Sequence, residues 1–333
     1  MAASVTAIEL RDPATSGHSE RVERLTVGLA EAVNQTETGP YKDTRFTREE
    51  IREIRYAARL HDFGKLGVRE EVLVKAKKLY PAQLELIQRR IRYFKKALEL
   101  EGTRKKLDFV LRNGNQNYQG FFSRIDTEYQ RELKNLDEFF QKILQANEPT
   151  VSAQKNSEKF LEIANWTFQD PSGPSESLLT PSEFRLLSIP KGSLDSEERL
   201  QLESHVMHSY EFLRQIPWTK ELKNIPKIVL AHHERLDGSG YPSQLKAEEI
   251  PLQSKIMIIS DIFDALTAHD RPGKPSLSIE RALDIIGQEV KAGLLDPFLF
   301  KLFVEAKIYQ TPKPTRIGAP AQNDMQCGFP PGY

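Results

Sequence analysis

Apolar residues recur every three or four positions along most of the chain, and few segments alternate apolar with polar residues, so the pattern predicts an all-α protein. His18, Val22, Leu25 and Leu29 share one face of a helix over 18–30, which places His18 at the edge of a core. In the run TREE, Thr47 and Glu50 form a capping box that opens a helix. Its Ile51, Ile54 and Ala58 lead to His61, so HDFGK at 61–65 emerges from the C-terminal end of that helix.

A second pattern runs from about Ala76 to Leu144, rich in Lys, Arg, Glu and Gln. Leu84, Ile87, Ile91, Phe94 and Leu98 keep helical spacing, as do Ile125, Tyr129, Leu133, Leu136 and Phe140, and the break GNQNYQG between them predicts a helical hairpin. The basic run Arg89, Arg90, Arg92, Lys95 and Lys96 reads as a solvated helix face. Residues 147–181 read as loop, and Thr180-Pro181-Ser182-Glu183 reads as another helix start. A helix over roughly 195–215 aligns Leu202, Val206, Ser209 and Leu213 with His205 beside them. Pro226 opens the next helix, in which Ile225, Val229, His232 and His233 face the core near its C-terminal end. SKIMIISDIFDALTAH is apolar nearly all round, so it predicts a buried helix with Asp261 and Asp264 one turn apart inside it.

Composition narrows the chemistry. Among 333 residues Lys+Arg and Asp+Glu are each 47, so net charge is zero and nothing implies a nucleic acid polymer or an anionic membrane as partner. The single cysteine, Cys327, excludes an intrachain disulfide and a thiolate metal cluster, which suits a cytoplasmic setting. No apolar run approaches the roughly 18 residues of a membrane span.

Six of the seven histidines lie on apolar helix faces or at helix ends, and Asp62 and Asp261 lie in comparable positions. Burying Asp261 among isoleucines costs several kcal/mol unless it is paired or holds a cation. Histidine and carboxylate without sulfur suit iron, manganese, nickel or zinc and do not choose among them.

HSERV at 18–22, HDFGK at 61–65, the first histidine of ESHVMHSYEFL at 203–213, HHERLDGSGYP at 232–242 and DIFDALTAHDRP at 261–272 together resemble the HD-GYP family of bacterial cyclic di-GMP phosphodiesterases. The resemblance implies an HD-type helical bundle formed by 1–76 and 195–310, with 77–194 as a helical insertion, while the composition of 311–333 reads as a disordered tail. It implies two divalent metal ions, iron or manganese ahead of zinc or nickel, held by His61, Asp62, His205, His232, His233 and Asp261. Asp62 would bridge them and His18 would join or support the site. Lys65 would act on the scissile phosphate with Asp62 as the other catalytic residue. Arg271 and Lys274 would hold the substrate phosphates, and Gly240, Tyr241 and Pro242 would shape the rim.

Glu234, Asp264 and His208 read as supporting residues that orient histidines or cap backbone, and His269 as exposed. The implied reaction is hydrolysis of cyclic di-GMP to pGpG or GMP by a hydroxide activated between the ions. Another nucleotide as substrate, or a non-catalytic cyclic di-GMP receptor, are the alternatives. A homodimer, a sensor module or a diguanylate cyclase would be the protein partners. Three departures stand out: Ala14 replaces the glutamate that accompanies a third metal, Gly273 replaces a frequent tyrosine, and His205 follows His61 at a far longer interval than in compact members.

Overall fold

The computed structural model describes residues 17–114, 116–151, 157–169, 175–269 and 276–310, so the readings for Ala14, Arg271, Gly273, Lys274 and 311–333 fall outside the described residues. The fold is all-α, with one short β-hairpin as its exception. Helices α1 (His18–Gln35) and α2 (Arg48–Leu60) pack against each other, and a 3-10 turn, Phe63–Gly67, and a short α3 (Glu70–Leu73) follow. The Thr47–Glu50 capping box is present at the start of α2.

After a long excursion the chain returns through α8 (Ser196–Glu203), α9 (His205–Leu213), α10 (Ile225–Leu230), α11 (Leu252–Thr267), α12 (Ile279–Lys291) and α13 (Pro297–Glu305). The helix expected over 195–215 is thus two, parted at Ser204, and His205 opens the second. The paired histidines stand in the turn just beyond α10, which ends at Leu230, rather than within the helix.

Two cores hold these helices. Leu25, Leu29, Ile54, Ile259, Phe263, Ile286, Leu299 and Phe303 join α1, α2, α11, α12 and α13. Val22, Ala58, Leu213, Ile228, Val229 and Met257 join α1, α2, α9, α10 and α11. Each large side chain buried this way contributes about 1.5–3 kcal/mol. Since α1, α2 and α11 serve both cores, their polar residues at the junction are held from two sides.

The excursion folds on its own core. Helices α4 (Pro81–Asn113) and α5 (Tyr118–Ala146) form the expected hairpin, with Ile87, Ile91, Phe94, Leu136, Phe139 and Ile143 buried. The loop reading of 147–181 is corrected here. Helix α6 (Ser157–Asn165) and an antiparallel pair, β1 (Thr167–Gln169) with β2 (Ser175–Ser177), add Phe160, Ile163 and Phe168 to that core, and α7 (Pro181–Leu187) closes it. The basic run is not uniformly solvated either. Arg90 lies on the edge of the face defined by Ile87 and Phe94, and it reaches the Leu178 carbonyl at 2.5 Å and the Glu183 carboxylate.

Where the excursion leaves and returns, Lys75 Nζ lies 2.7 Å from both oxygens of Glu198, and Tyr80 Oη donates to Glu198 at 2.6 Å. No helix among the described residues is long and apolar enough to cross a membrane.

Candidate metal centre

Five separate elements each send one or two polar side chains to the junction of the two cores. His18 opens α1, His61 and Asp62 close α2, His205 opens α9, His232 and His233 follow α10, and Asp261 lies within α11. All but His233 are buried, with His232 fully so. The ligand-capable atoms of His18, His61 and Asp62 lie within 4.8 Å of one another, and so do those of His205, His232 and His233. Asp62 stands between the two groups. Its Oδ2 is 3.5 Å from His61 Nε2 and 3.6 Å from His18 Nε2, while its Oδ1 is 3.4 Å from His205 Nε2. Asp261 Oδ1 is 3.2 Å from His18 Nε2.

The imidazoles are set in one tautomer by the backbone. A carbonyl can only accept, so Nδ1 of His61 donates to Ala58 at 2.6 Å, Nδ1 of His205 to Leu202 at 2.6 Å, and Nδ1 of His232 to Val229 at 2.5 Å. Each bond spans three residues, which is the reach of a helix end. Nε2 is left bare on each ring, and in all three it is buried without a hydrogen-bond partner. A buried acceptor without a partner is costly. A backbone-oriented imidazole whose other nitrogen points into a group of carboxylates and imidazoles is how a metal-binding histidine is presented. The residues therefore fit a divalent cation.

Electrostatics agree with this placement. Burial, then the neighbouring rings of His233, His61 and His205, hold His232 well below the ordinary imidazole value, and burial lowers His233 to about 4. Both are neutral at neutral pH, the form a cation needs. Burial alone would raise Asp62, yet Lys65 and the surrounding imidazoles hold it well below the usual carboxylate range. Asp261 is likewise lowered against its burial, chiefly by His18 and His61. His18 differs from the other rings. Burial opposes its charge, but bonds to Asp261 and Asp264 reverse this and raise it to about 9. Asp264 accepts from His18 Nδ1 at 2.7 Å and takes Arg21 in a two-pronged contact, at 2.6 and 3.1 Å.

Two loops complete the site. The 61–67 loop lies directly on α9: Gly64 N–H donates to Ser209 Oγ at 2.7 Å, and that hydroxyl donates to the His61 carbonyl at 2.8 Å. This leaves Lys65 Nζ 2.7 Å from Asp62 Oδ2. In the second loop, Glu234 accepts from the amides of Ser243 at 2.7 Å and Leu245 at 3.0 Å. Gly240 packs so closely on Glu234 and Arg235 that a Cβ would sit 2.4 Å from their backbone. Tyr241, whose bond to Pro242 is cis, donates its amide to the His233 carbonyl at 3.2 Å and lays its ring 4.8 Å from that imidazole. A cleft of about 380 Å³ opens beside His232, His233, Gly240 and Tyr241.

Of the supporting residues, Asp264 orients a histidine and Glu234 holds loop backbone. His208 is exposed and faces Gly67 rather than the centre, and His269 is exposed. Sequence reasoning missed Arg21, although its position three residues after His18 puts it on the same helix face. It also missed the hydroxyl role of Ser209, which no local spacing signals because its partners are 145 and 148 positions away.

The HD domain family model matches residues 177–299, a range that contains His205, His232, His233, Tyr241 and Asp261. The 3'3'-cGAMP-specific phosphodiesterase 1 of Vibrio cholerae is 47% identical over 127 residues, 38% of this chain and 28% of its own. Phosphodiesterase 3 of the same name and organism is 33% identical over 115 residues, 34% of this chain and 24% of its own. The cyclic di-GMP phosphodiesterase response regulator RpfG of Xanthomonas campestris is 36% identical over 109 residues, 33% and 28% of the two chains.

Residues 177–299 thus match an HD domain, and the similarity to these phosphodiesterases supports the HD-GYP resemblance. The chain spans about a quarter of the length of the curated relatives it matches. Among solved structures, a cyclic GMP-AMP specific phosphodiesterase of Vibrio cholerae aligns with 87% of this chain and 49% of its own at 15% identity and a TM-score of 0.35, a likeness too small to bear on the fold. The seven residues of the centre are thus divided between the matched range, with His205, His232, His233 and Asp261, and the preceding His18, His61 and Asp62.

Proposed function

We propose that this chain is a metal-dependent phosphodiesterase of the HD-GYP type for a cyclic dinucleotide, with cyclic di-GMP as substrate and pGpG or GMP as product. The observation that carries the reading is Asp62, which directs one carboxylate oxygen towards His18 and His61 and the other towards His205. Two divalent ions, iron or manganese, fit that division: His61, Asp62, Asp261 and His18 would hold one, and His205, Asp62, His232 and His233 the other. Bound there, such ions supply Lewis acidity towards phosphate oxygens and make water a nucleophile near neutral pH.

The chain's own residues do the rest. The Nδ1 bonds of His61, His205 and His232 keep their Nε2 lone pairs aimed inward without reorganisation. Lys65, placed by the 61–67 loop against α9, brings a cation to the edge of the site, where it balances charge on the phosphate or protonates the departing 3′ oxygen. Arg21 and Asp264 hold His18 in place. Tyr241 and Gly240 form a wall beside the histidines. The 77–194 insertion is a module set into the catalytic domain of 1–76 and 195–310.

The test is turnover of cyclic di-GMP, 3′,3′-cyclic GMP-AMP and pGpG by anaerobically purified chain loaded with iron(II), manganese or zinc, alongside Asp62→Ala. Metal-dependent release of pGpG or GMP that disappears in the variant, together with a loss of bound metal per chain, is expected. Metal-loaded, folded protein that turns over none of these would refute the reading. The 47% identical relative named for 3'3'-cGAMP favours that nucleotide as a second reading of the substrate, and the same comparison of rates decides it.

A further inference from the structure

We propose that Arg199 and Glu203 read the base of the substrate and select guanine; this rests on the cyclic-dinucleotide reading above and names a part of its specificity. The cleft beside His232 and His233 is lined by four charged side chains, Arg199, Glu203, Glu234 and Arg235. Two are committed. Glu234 holds the amides of Ser243 and Leu245, and Arg235 lies 3.6 Å from Glu289. Arg199, which is exposed, and Glu203, which is half-buried, form no ion pair among the described residues, although they stand one turn apart on the same helix. Both line the cleft, so a ligand that offers acceptors and donors together can take the place of the water around them.

Helix α8 presents them rigidly. Asp195 caps it and forms a capping box with Glu198, and Arg185 lies 3.3 Å from Asp195. Glu198, the neighbour of Arg199 in sequence, is buried and tied to Lys75 and Tyr80. The backbone that carries Arg199 and Glu203 is therefore placed before any ligand arrives, so binding has only the two side chains to order. The same cleft is lined by Tyr241, whose ring offers a surface on which a base stacks.

Guanine meets this pair on two edges. Its O6 and N7 accept the fork of an arginine, and its N1–H and amino group donate to a carboxylate. Adenine keeps N7 as an acceptor but presents a donor in place of O6 and has no proton at N1, so neither side chain can make its two-point contact. At about 380 Å³ the cleft suits one nucleoside beside the metal centre rather than a whole cyclic dinucleotide, so one base is read here.

The experiment uses the full chain loaded with manganese, with Arg199→Ala and Glu203→Gln, whose unchanged melting temperatures establish folding. Two readouts are taken: the ratio of kcat/KM for cyclic di-GMP over cyclic di-AMP, and the ratio of Kd values for GMP and AMP by titration. Each variant is expected to lower the guanine preference by about ten-fold in both, the size of one lost two-point base contact. Equal losses on both bases, or no loss, would overturn the inference while leaving phosphodiesterase activity in place. If the wild-type chain turns over neither cyclic dinucleotide, the hydrolase reading fails, and the mononucleotide titration still decides: a GMP preference that Arg199→Ala removes supports the base-reading role, and equal binding of GMP and AMP refutes it.

Discussion

Two glycines three positions apart in HDFGKLG test how the centre is assembled. A Cβ on Gly64 would lie 1.9 Å from the His205 carbonyl oxygen and 2.4 Å from the Ser209 amide nitrogen, both backbone atoms of α9. Neither can swing away, so Gly64→Ala must push the 61–67 loop off α9. Overpacking of this kind costs about 1–3 kcal/mol. The loop also gives up the Gly64–Ser209 bond and strains the Ser209–His61 bond, at roughly 1 kcal/mol each. The sum is about 3–5 kcal/mol, a fall of roughly 4–7 °C in melting temperature for a chain of this size, at about 2.1 cal/mol/K of unfolding entropy per residue.

The same movement separates Asp62 Oδ1 from His205 Nε2, now 3.4 Å apart, so bound metal should fall as well. A Cβ on Gly67 meets only the His208 ring, its nearest atom Nδ1 at 2.6 Å, and His208 is exposed and free to rotate. Gly67→Ala should therefore cost under about 1 kcal/mol and leave metal content intact. Thermal unfolding and metal analysis of both variants suffice. If Gly64→Ala melts and binds metal like Gly67→Ala, the close seating of the loop on α9 is wrong.

Other expectations follow from the neck and from the second loop. Burial alone would raise Glu198, but Lys75, Tyr80 and its capping amide hold it below its ordinary value. A carboxylate so lowered stabilises the fold above its unfolded value near 4.5 and loses that contribution as pH falls through its folded value. Wild type should thus melt above Glu198→Gln at pH 7, with the gap narrowing as pH drops from about 5 towards 3; a gap independent of pH would count against the charged neck. Glu234→Ala removes a charged acceptor from the amides of Ser243 and Leu245, bonds of about 1.5–3 kcal/mol each before water replaces them. Metal content should hold while KM for cyclic di-GMP rises several-fold as Tyr241 loses its support, and an unchanged KM would show that the loop is held by other contacts.

Helical periodicity made much of this protein legible. The faces of α1, α2 and α11 were readable because burial of one side of a helix leaves a repeat of three and four in the sequence. The same repeat drew attention to His18, His61 and Asp261, which are polar residues in apolar register. The 147–181 segment was not legible, since a nine-residue helix and three-residue strands are too short to leave a period and are stabilised by packing on Phe94 and Leu136. Arg90 was misread for a related reason: charge alone does not tell an exposed arginine from one that reaches a distant carboxylate such as Glu183.

By itself, then, the sequence determined the helical class, the hairpin, the set of residues able to hold a cation and the family pattern they form. These are properties of local spacing and residue chemistry. Only the tertiary structure decided that Asp62 faces both histidine groups, that Ser209 and Gly64 lock the loop to α9, that Glu198 ties the excursion to α8, and that Arg199 and Glu203 border the cleft. Each of these depends on distances between segments far apart in the chain, and those distances are set by the packing of helices, which no local window of sequence contains.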